Sequence, residues 1–439
     1  MERPLFIPGA RGLVGEFYQL VLAAAYHADG FWGEATFDLY PRELPEGWGF
    51  LVAAGLEPAL QAVESLAFSA DEVRALREHP VFAKVSGDFF DMLAELRFDG
   101  QVAAVPEGTP VFPGEPVMRL TGSLIACTLL ETRLLQLVGA STAVATRAAR
   151  LSLAAGEAAV YDFGSRRNSS GTAALMAARA AYIGGAAGTT NAAAALVLGV
   201  PAFGTMSSTF LAAYGDDQLA YDAFRLHFPA LGHYALPDDD PVDGVRRFGR
   251  ARERVSIVRI DHDDLARSAR TVRDALDRHG MGDVRILGSG HLDEHRVEKL
   301  RANRAPIDCF AVGRALAHTC EPGTRMAFRI AEMQRGPAWV PVTRHGSSTW
   351  PGRKQVVRLP GHDLVCLDAE AAIYESQGAP LLSAVVAAGA RVTTAPSLGD
   401  LRERCLGLVE ALPAGLRDLR RPVAREIRVS DGLAALSLR

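Results

Sequence analysis

Lysine is nearly missing from this sequence: Lys84, Lys299 and Lys354 are the only ones, and the other basic residues are arginine. Any anion binding therefore falls to fixed guanidinium forks rather than to flexible ammonium groups. Cysteine is sparse too, with five residues (Cys127, Cys309, Cys320, Cys366 and Cys405) and no C-x-x-C spacing. That excludes a disulfide framework and a cysteine zinc site, and it reads as the reduced thiols of a cytoplasmic protein. The formal net charge of −4 offers no global basic field, so nucleic acid is not an expected partner. The opening M-E-R-P-L-F-I-P-G-A-R lacks the apolar core of a signal peptide, and Leu20–Tyr26 is too short to cross a bilayer. Ala-rich stretches around 172–198 are interrupted by Arg179, glycines and Asn191, as buried helices separated by loops would be. No membrane association is expected. No G-x-G-x-x-G follows the first strand of the α/β region, which argues against a dinucleotide fold.

What is present suffices for more than one core. The 439 residues are 49% hydrophobic and 22% charged, enough for two or three domains. Residues 12–30 place Leu13, Phe17, Leu20 and Ala24 at helical spacing, and Glu34–Tyr40 alternates as a strand. A strand at Trp48–Ala53, helices near Leu56–Leu66 and Ala70–His79, and the Pro/Gly-punctuated short strands of Val102–Arg119 follow. Residues 1–125 thus read as an α+β layer. From Leu124, helical stretches alternate with short apolar runs at Ala158–Phe163, Ala181–Ile183, Val200–Gly204, Val255–Ile260, Val284–Leu287 and Cys309–Val312. Such alternation implies parallel βαβ units, so residues 126–340 read as a barrel-like α/β domain. Within it, residues 232–248 show no clear period. Beyond 341 the run R-H-G-S-S-T-W-P-G-R-K-Q-V-V-R-L gives a loop and a strand. A strand at Leu364–Leu367, a helix at Leu401–Leu412 and the tail Glu426–Leu438 complete the chain. Residues 341–439 are too few to fold alone and are expected to pack on the N-terminal layer.

The chemistry concentrates at strand ends. Val160–Phe210 carries V-Y-D-F-G-S-R-R-N-S-S-G, Y-I-G-G-A-A-G-T-T-N and G-V-P-A-F-G-T-M-S-S-T-F, each polar cluster following an apolar run. Two adjacent arginines, several hydroxyls and no acid after Asp162 describe a site that receives anions. Arg166 and Arg167 are its sharpest feature; on an extended segment only one of them would face a given ligand. Three later strands run into Asp261-His262-Asp263-Asp264, Gly288-Ser289-Gly290 and Gly313-Arg314. The two glycine loops suit a phosphate, because a backbone without Cβ can approach its oxygens. Asp261, the first residue past its strand, can bind ribose hydroxyls or Mg²⁺, whereas Asp263 or Asp264 also reads as a helix N-cap. His262 has no second histidine or cysteine near it, so no protein-built metal centre is expected. Tyr18, on an amphipathic helix, reads from its position alone as core.

These residues carry a resemblance that covers nearly the whole chain. F-Y-Q-L, P-E-G-T-P-V-F-P-G-E-P, L-L-E-T-R-L-L-Q-L, A-T-R-A-A-R, F-G-S-R-R, A-A-Y-I-G-G-A-A-G-T-T-N, G-V-P-A-F-G-T-M, R-I-D-x-x-D-L, S-G-x-L-D-E, V-G-R and P-G-R-K-Q-V stand in the order and spacing of the nicotinate phosphoribosyltransferases. The resemblance implies an irregular (β/α) barrel of the type II phosphoribosyltransferase kind, plus an α+β layer formed by the N-terminal and C-terminal segments. It implies transfer of phosphoribose from phosphoribosyl pyrophosphate (PRPP), with Mg²⁺, to nicotinate or a related heterocyclic acid, in a homodimer whose active sites are shared. By the same resemblance Tyr18 stacks on the pyridine ring from the partner subunit, and Arg166 and Arg167 serve the carboxylate and phosphate region. Asp261 contacts ribose, and Ser289, Gly290, Gly313 and Arg314 hold the 5-phosphate. Thr190 stands where related nicotinamide enzymes carry an aspartate; a threonine donates to a carboxylate that an aspartate would repel.

The chain also departs from the family pattern. Ser208 replaces the histidine that ATP phosphorylates, which puts ATP coupling in doubt. Glu16, His262 and Arg314 depart as well. The departures cluster at the inferred site, as retuned specificity would place them. Transfer to a different base in specialised metabolism, or a silent mononucleotide-binding paralogue, are the alternative readings.

Overall fold

The protein is described from a computed structural model that covers residues 12–236, 240–249, 255–317, 324–343 and 350–437. Cys320, the opening segment, part of the aperiodic stretch 232–248 and the loop read at 344–349 lie outside the described residues. The chain forms two compact units. One comprises Met1–Thr142, Pro322–Pro396 and Arg421–Arg439, the other Ala143–Glu321 and Ser397–Arg420. These divisions differ from cuts after 125 and 340. The chain rejoins the first unit early because Arg325–Arg335 pairs with Glu34–Glu43 along nearly its whole length. The helix Leu398–Glu410 belongs to the second unit, where Arg402 donates to the carbonyls of Ala186 (2.9 Å) and Gly185 (3.1 Å).

The first unit is built on an antiparallel seven-stranded sheet. Its order is Ala338–Pro341, Arg325–Arg335, Glu34–Glu43, Met118–Ser123, Gln101–Ala104, Ser383–Ala387, Ala390–Arg391. The β-branched and aromatic residues of Glu34–Glu43 suit a strand, and it is buried on both faces along most of its length. Asp38 within it is fully buried and meets Lys354 Nζ at 2.7 Å. The helix Phe17–Ala28 buries Leu20, Ala23 and Ala24 and leaves Phe17, Tyr18, Val21 and Leu22 exposed, so Tyr18 is not core.

The second unit holds a six-stranded, wholly parallel sheet. We label its strands β1 (Ala159–Asp162), β2 (Gly188–Thr189), β3 (His233–Ala235), β4 (Ile257–Asp261), β5 (Arg285–Ser289) and β6 (Cys309–Val312). Their spatial order is β2-β1-β6-β5-β4-β3. The sheet curls but its edge strands do not pair. Residues 202–204 span the seam instead: Ala202 bridges Thr189, and the Gly204 carbonyl lies 3.0 Å from His233 Nδ1. Phe203 stacks between Tyr161 (ring centroids 3.6 Å apart) and His233 (4.7 Å). The barrel is irregular because a single backbone bridge on one side and side-chain contacts on the other, rather than a continuous strand ladder, span the seam.

Three expected elements differ. Ala181–Ile183 is the end of a helix, Gly171–Ile183, whose alanine face is buried. Val200–Gly204 contributes only the single bridge at Ala202, since Gly199 turns left-handed (φ +72°) and Pro201 and Gly204 follow. The aperiodic stretch contains β3 and a helix, Pro241–Gly249. Leu124–Ala155 is long and apolar enough to cross a membrane, but 61% of its most apolar window is buried. Buried arginines mark it as a core helix: Arg147 donates to the Ala317 carbonyl (2.8 Å), and Arg150 pairs with Glu294 (2.9 Å).

A buried carboxyl pair gives the first unit a pH signature. Asp363 accepts from Arg358 (2.8 Å) and Arg425 (2.8 Å), and Glu115, equally buried, accepts from the Phe112 N–H (2.9 Å). Burial first, then the adjacent charge of Asp363, pushes the Glu115 carboxyl well above the usual range. Burial opposes ionisation of Asp363 as well, but its arginine and Glu115 hydrogen bonds outweigh that and hold it below the usual range. The native state therefore retains the Glu115 proton longer than the unfolded chain, so stability falls as pH rises from about 4.3 toward the raised native value. Glu115→Gln keeps a hydrogen-bond donor without the titration. Its melting temperature relative to wild type should rise steadily with pH across that window; parallel pH profiles for the two proteins would refute the assignment.

Candidate functional site

The carboxyl ends of β1, β4, β5 and β6 open into one cavity of about 460 Å³ in the second unit. Parallel strands bring this about, because every strand delivers its following loop to the same edge. Arg166, Arg167, Asp261, Ser289, Gly290, Gly313 and Arg314 all line it, together with Phe163, Arg259, His291, Leu292 and Ala311. Four arginines thus face a single carboxylate, a strongly anion-seeking balance.

The loop after β1 is set by Asp162. This buried side chain accepts from the Gly164 N–H (Oδ1, 2.7 Å) and from Thr189 Oγ1 at the end of β2 (Oδ2, 2.7 Å). Burial raises its carboxyl above the ordinary value, and these two hydrogen bonds oppose the shift. Beyond it, Ser165–Arg167 is a 3₁₀ turn rather than an extended segment. Strand alternation therefore does not apply, and both Arg166 and Arg167 reach the cavity, not one of them.

At β4, Arg259 and Asp261 stand two residues apart and so share a face of the strand. Arg259 donates to Thr205 Oγ1 at 3.4 Å, which ties β4 to the segment after the seam. Asp261 meets the loop after β5: Ser289 Oγ lies 3.0 Å from both Asp261 Oδ2 and the Ile260 carbonyl. Gly290 has φ +99°, and a Cβ built on it would fall 2.5 Å from Asp261 Oδ1. Glycine is required there twice over, by conformation and by the carboxylate. His291 is itself left-handed (φ +49°), which is uncommon for a side-chain-bearing residue. Asp264, not Asp263, is the helix N-cap, accepting from the Arg267 N–H at 3.2 Å. At β6, a Cβ on Gly313 would sit 3.1 Å from the Phe163 carbonyl, so the β1 and β6 loops touch through backbone.

Three sequence-derived candidates do not line the cavity. Thr190 is an exposed residue at the end of β2, held by its N–H to the Asp162 carbonyl (3.0 Å). Ser208 is exposed at the first turn of the helix Ser208–Tyr214, which Ser207 caps. Tyr18 belongs to the first unit, where its hydroxyl donates to Glu131 Oε2 at 3.4 Å. Sequence reasoning passed over Phe163, Arg259 and His291. The R-x-D spacing at β4 could have found Arg259; nothing in the sequence singles out His291. Among the described residues, no group of three or more His, Cys, Asp or Glu could hold a metal.

Comparison with known proteins places this chain among its relatives. The family model described as the nicotinate phosphoribosyltransferase N-terminal domain matches residues 13–139. Nicotinate phosphoribosyltransferase pncB2 of Mycobacterium tuberculosis is 35% identical over 97% of this chain and 93% of its own length. The Bacillus subtilis nicotinate phosphoribosyltransferase is 31% identical over 78% of this chain and 72% of its own. Among solved structures, human nicotinic acid phosphoribosyltransferase superposes with a TM-score of 0.81 at 24% identity, covering 97% of this chain and 99% of that one. The nicotinate-nucleotide pyrophosphorylase of Pyrococcus furiosus gives 0.76 at 24% identity, covering 93% and 98%. These two likenesses establish the fold, an α/β protein of the type II phosphoribosyltransferase kind.

The contact between Gly290 and Asp261 makes a sharp test. Gly290→Ala forces a left-handed alanine and displaces the carboxylate, at a cost of about 1–3 kcal/mol. Affinity for ribose 5-phosphate, measured calorimetrically, should fall about ten-fold or more while the protein still folds. Unchanged affinity would show that Asp261 does not depend on this approach.

Proposed function

The chain belongs to the nicotinate phosphoribosyltransferase family, and on that premise we propose that it joins nicotinate to PRPP, giving nicotinate mononucleotide and pyrophosphate. The observation that carries this reading is the meeting of Arg166, Arg167, Asp261, Ser289, Gly290, Gly313 and Arg314 in one cavity. They come from four strand ends spread between residues 166 and 314. In the reaction the ribose C1–pyrophosphate bond breaks, its electron pair leaves with pyrophosphate, and the pyridine nitrogen bonds to C1. That chemistry asks the protein for charge neutralisation and alignment rather than for a covalent intermediate. Backbone amides around Ser289–Gly290 and Gly313, with Arg314, take the 5-phosphate. Asp261 takes ribose hydroxyls or the Mg²⁺ that accompanies PRPP; one carboxylate fits an ion that keeps most of its water and substrate oxygens. Phe163 offers the pyridine an aromatic face, and Arg166 and Arg167 supply positive charge for its carboxylate and for pyrophosphate.

A homodimer accords with this reading. Phe17, Tyr18, Val21, Leu22 and Trp32 leave an exposed apolar face around one helix, which a second copy would cover. A Tyr18 contributed by the partner would then stack on the pyridine. Sedimentation at twice the 46.9 kDa chain mass is the expected result, and a monomer would remove the shared site. Reduced buried thiols at Cys127, Cys309, Cys366 and Cys405 accord with a cytoplasmic location.

ATP coupling is absent in this proposal. A histidine phosphoramidate is labile enough to be linked to turnover, whereas Ser208 has no adjacent base and its phosphate ester would be too stable. A pyrophosphate-release assay with PRPP and Mg²⁺ tests both selectivity and coupling. Nicotinate should exceed nicotinamide in kcat/KM by about ten- to a hundred-fold, the worth of one charge-assisted hydrogen bond of roughly 1.5–3 kcal/mol. Added ATP should change neither rate nor yield, and [γ-³²P]ATP should leave no label on the protein. Equal use of the two bases would overturn the carboxylate reading; an acid-labile phosphoenzyme with ATP-stimulated yield would overturn the uncoupled one.

A further inference from the structure

Arg296 stands outside the cavity lining, yet it is bonded to the loops that form two of its walls. It lies in the first turn of the helix Glu294–Ala302, and its guanidinium spends its donors on three backbone carbonyls. Nη1 donates to Gly290 (3.0 Å), and Nη2 donates to Asp263 (2.7 Å) and to His262 (3.4 Å). The first acceptor belongs to the loop after β5, the other two to the loop after β4. These loops carry Gly290–His291 and Asp261, the most tightly apposed pair of elements in the site.

The clamp has a fixed base. Asp293 caps the helix by accepting from the Arg296 N–H at 2.7 Å, which sets the backbone from which the side chain springs. Two residues earlier, Glu294 is pinned by the buried Arg150, whose Nε donates to Oε1 at 2.9 Å. Arg150 itself also donates to the Leu419 carbonyl at 3.0 Å. The guanidinium is thus carried on a capped helix and reaches two separate loops, which is how a positioning group holds others to within a fraction of an ångström.

We propose that Arg296 is a positioning residue that sets the gap between Asp261 and the Gly290–His291 backbone, and through it the grip on the phosphoribosyl group. The proposal rests on the phosphoribosyl-transfer reading of this cavity. Two ties join the loops. Ser289 Oγ holds Asp261 at the floor, and Arg296 holds the outer turns, where the chain leaves β4 and β5. With only the inner tie, His262–Asp263 and Gly290–His291 can move apart while both strands stay intact. The planar fork matters, because three carbonyls on two chain segments need donors diverging in one plane, which an ammonium cannot reproduce.

Arg296→Met removes the donors and keeps the stem; Arg296→Lys keeps the charge. In the Met variant KM for PRPP should rise about ten-fold or more, as expected for a sub-ångström to ångström misplacement. KM for nicotinate should change less than about two-fold, since the base is held elsewhere in the cavity by this reading. Millimolar guanidinium should restore part of the loss in the Met variant and none in wild type, and Arg296→Lys should recover only part of the PRPP affinity. Hydrogen exchange should quicken in residues 261–264 and 288–292 of the Met variant and not in the helix Leu265–Arg278. A wild-type KM for PRPP in the Met variant, or equal rises for both substrates, would overturn the proposal. If wild type itself transfers no phosphoribose, the functional reading fails. The clamp is then judged by exchange alone, and unchanged exchange in those two segments refutes it.

Discussion

The buried carboxylate of Asp162 is the contact on which the rest of the site depends. It sits where β1 ends, and its two oxygens are committed in different directions, one to the Gly164 amide and one to the Thr189 hydroxyl. A carboxylate out of water is costly unless hydrogen-bonded, so this geometry is held firmly once formed. It turns the chain directly after Phe163 and presses Gly164 against the backbone of the β6 loop, where a Cβ would lie 3.0 Å from the Gly313 carbonyl. The arginines that follow on each loop emerge from that junction. Backbone packing at this junction fixes where the Arg166, Arg167 and Arg314 side chains start.

That arrangement explains how so much like charge can be gathered in one place. Arg166, Arg167, Arg259 and Arg314 repel one another across a cavity with a single lining carboxylate. Flexible lysines would swing out to solvent, whereas guanidinium groups rooted on short, tied loops stay. A polyanion that enters meets positive charge already in place, so the cavity is prepared for charge before substrate arrives. The same argument sets a role for salt, since exposed charges more than about 10 Å apart are screened at 0.1 M ionic strength.

Most of the site was legible because parallel strands place their following residues at one edge, and glycines, arginines and an aspartate after apolar runs are visible signals. Arg259 was hidden because inside a strand it looks like any outward-facing residue, until its two-residue spacing from Asp261 is considered. Arg166 and Arg167 were read through strand alternation, and a 3₁₀ turn abolished that rule. β2 spans only Gly188–Thr189, too short for any periodicity, while the apolar, β-branched look of Val200–Gly204 promised a strand that Pro201 and the flanking glycines prevent. Tyr182 and Ile183 favoured a strand locally, but buried alanines along the same helix decided otherwise. The limits of the two units differ from the expected cuts for a different reason. Which strand partners which is a long-range fact, and no local pattern shows that residues 325–335 return to residue 34.

That return has a consequence for how the chain is made. Glu34–Glu43 is translated some 290 residues before its neighbour Arg325–Arg335. At about 5–20 residues per second the strand waits on the order of 15–60 s for one of its two ladders. Met118–Ser123 arrives sooner and can cover the other edge. Until residue 335 has cleared the ribosome, the nascent chain carries an open, largely apolar strand edge of the kind that recruits chaperones or pairs wrongly with neighbours. Stalled chains ending before 325 should accordingly be captured by chaperones and cut by protease near residues 34–43, and released chains should not.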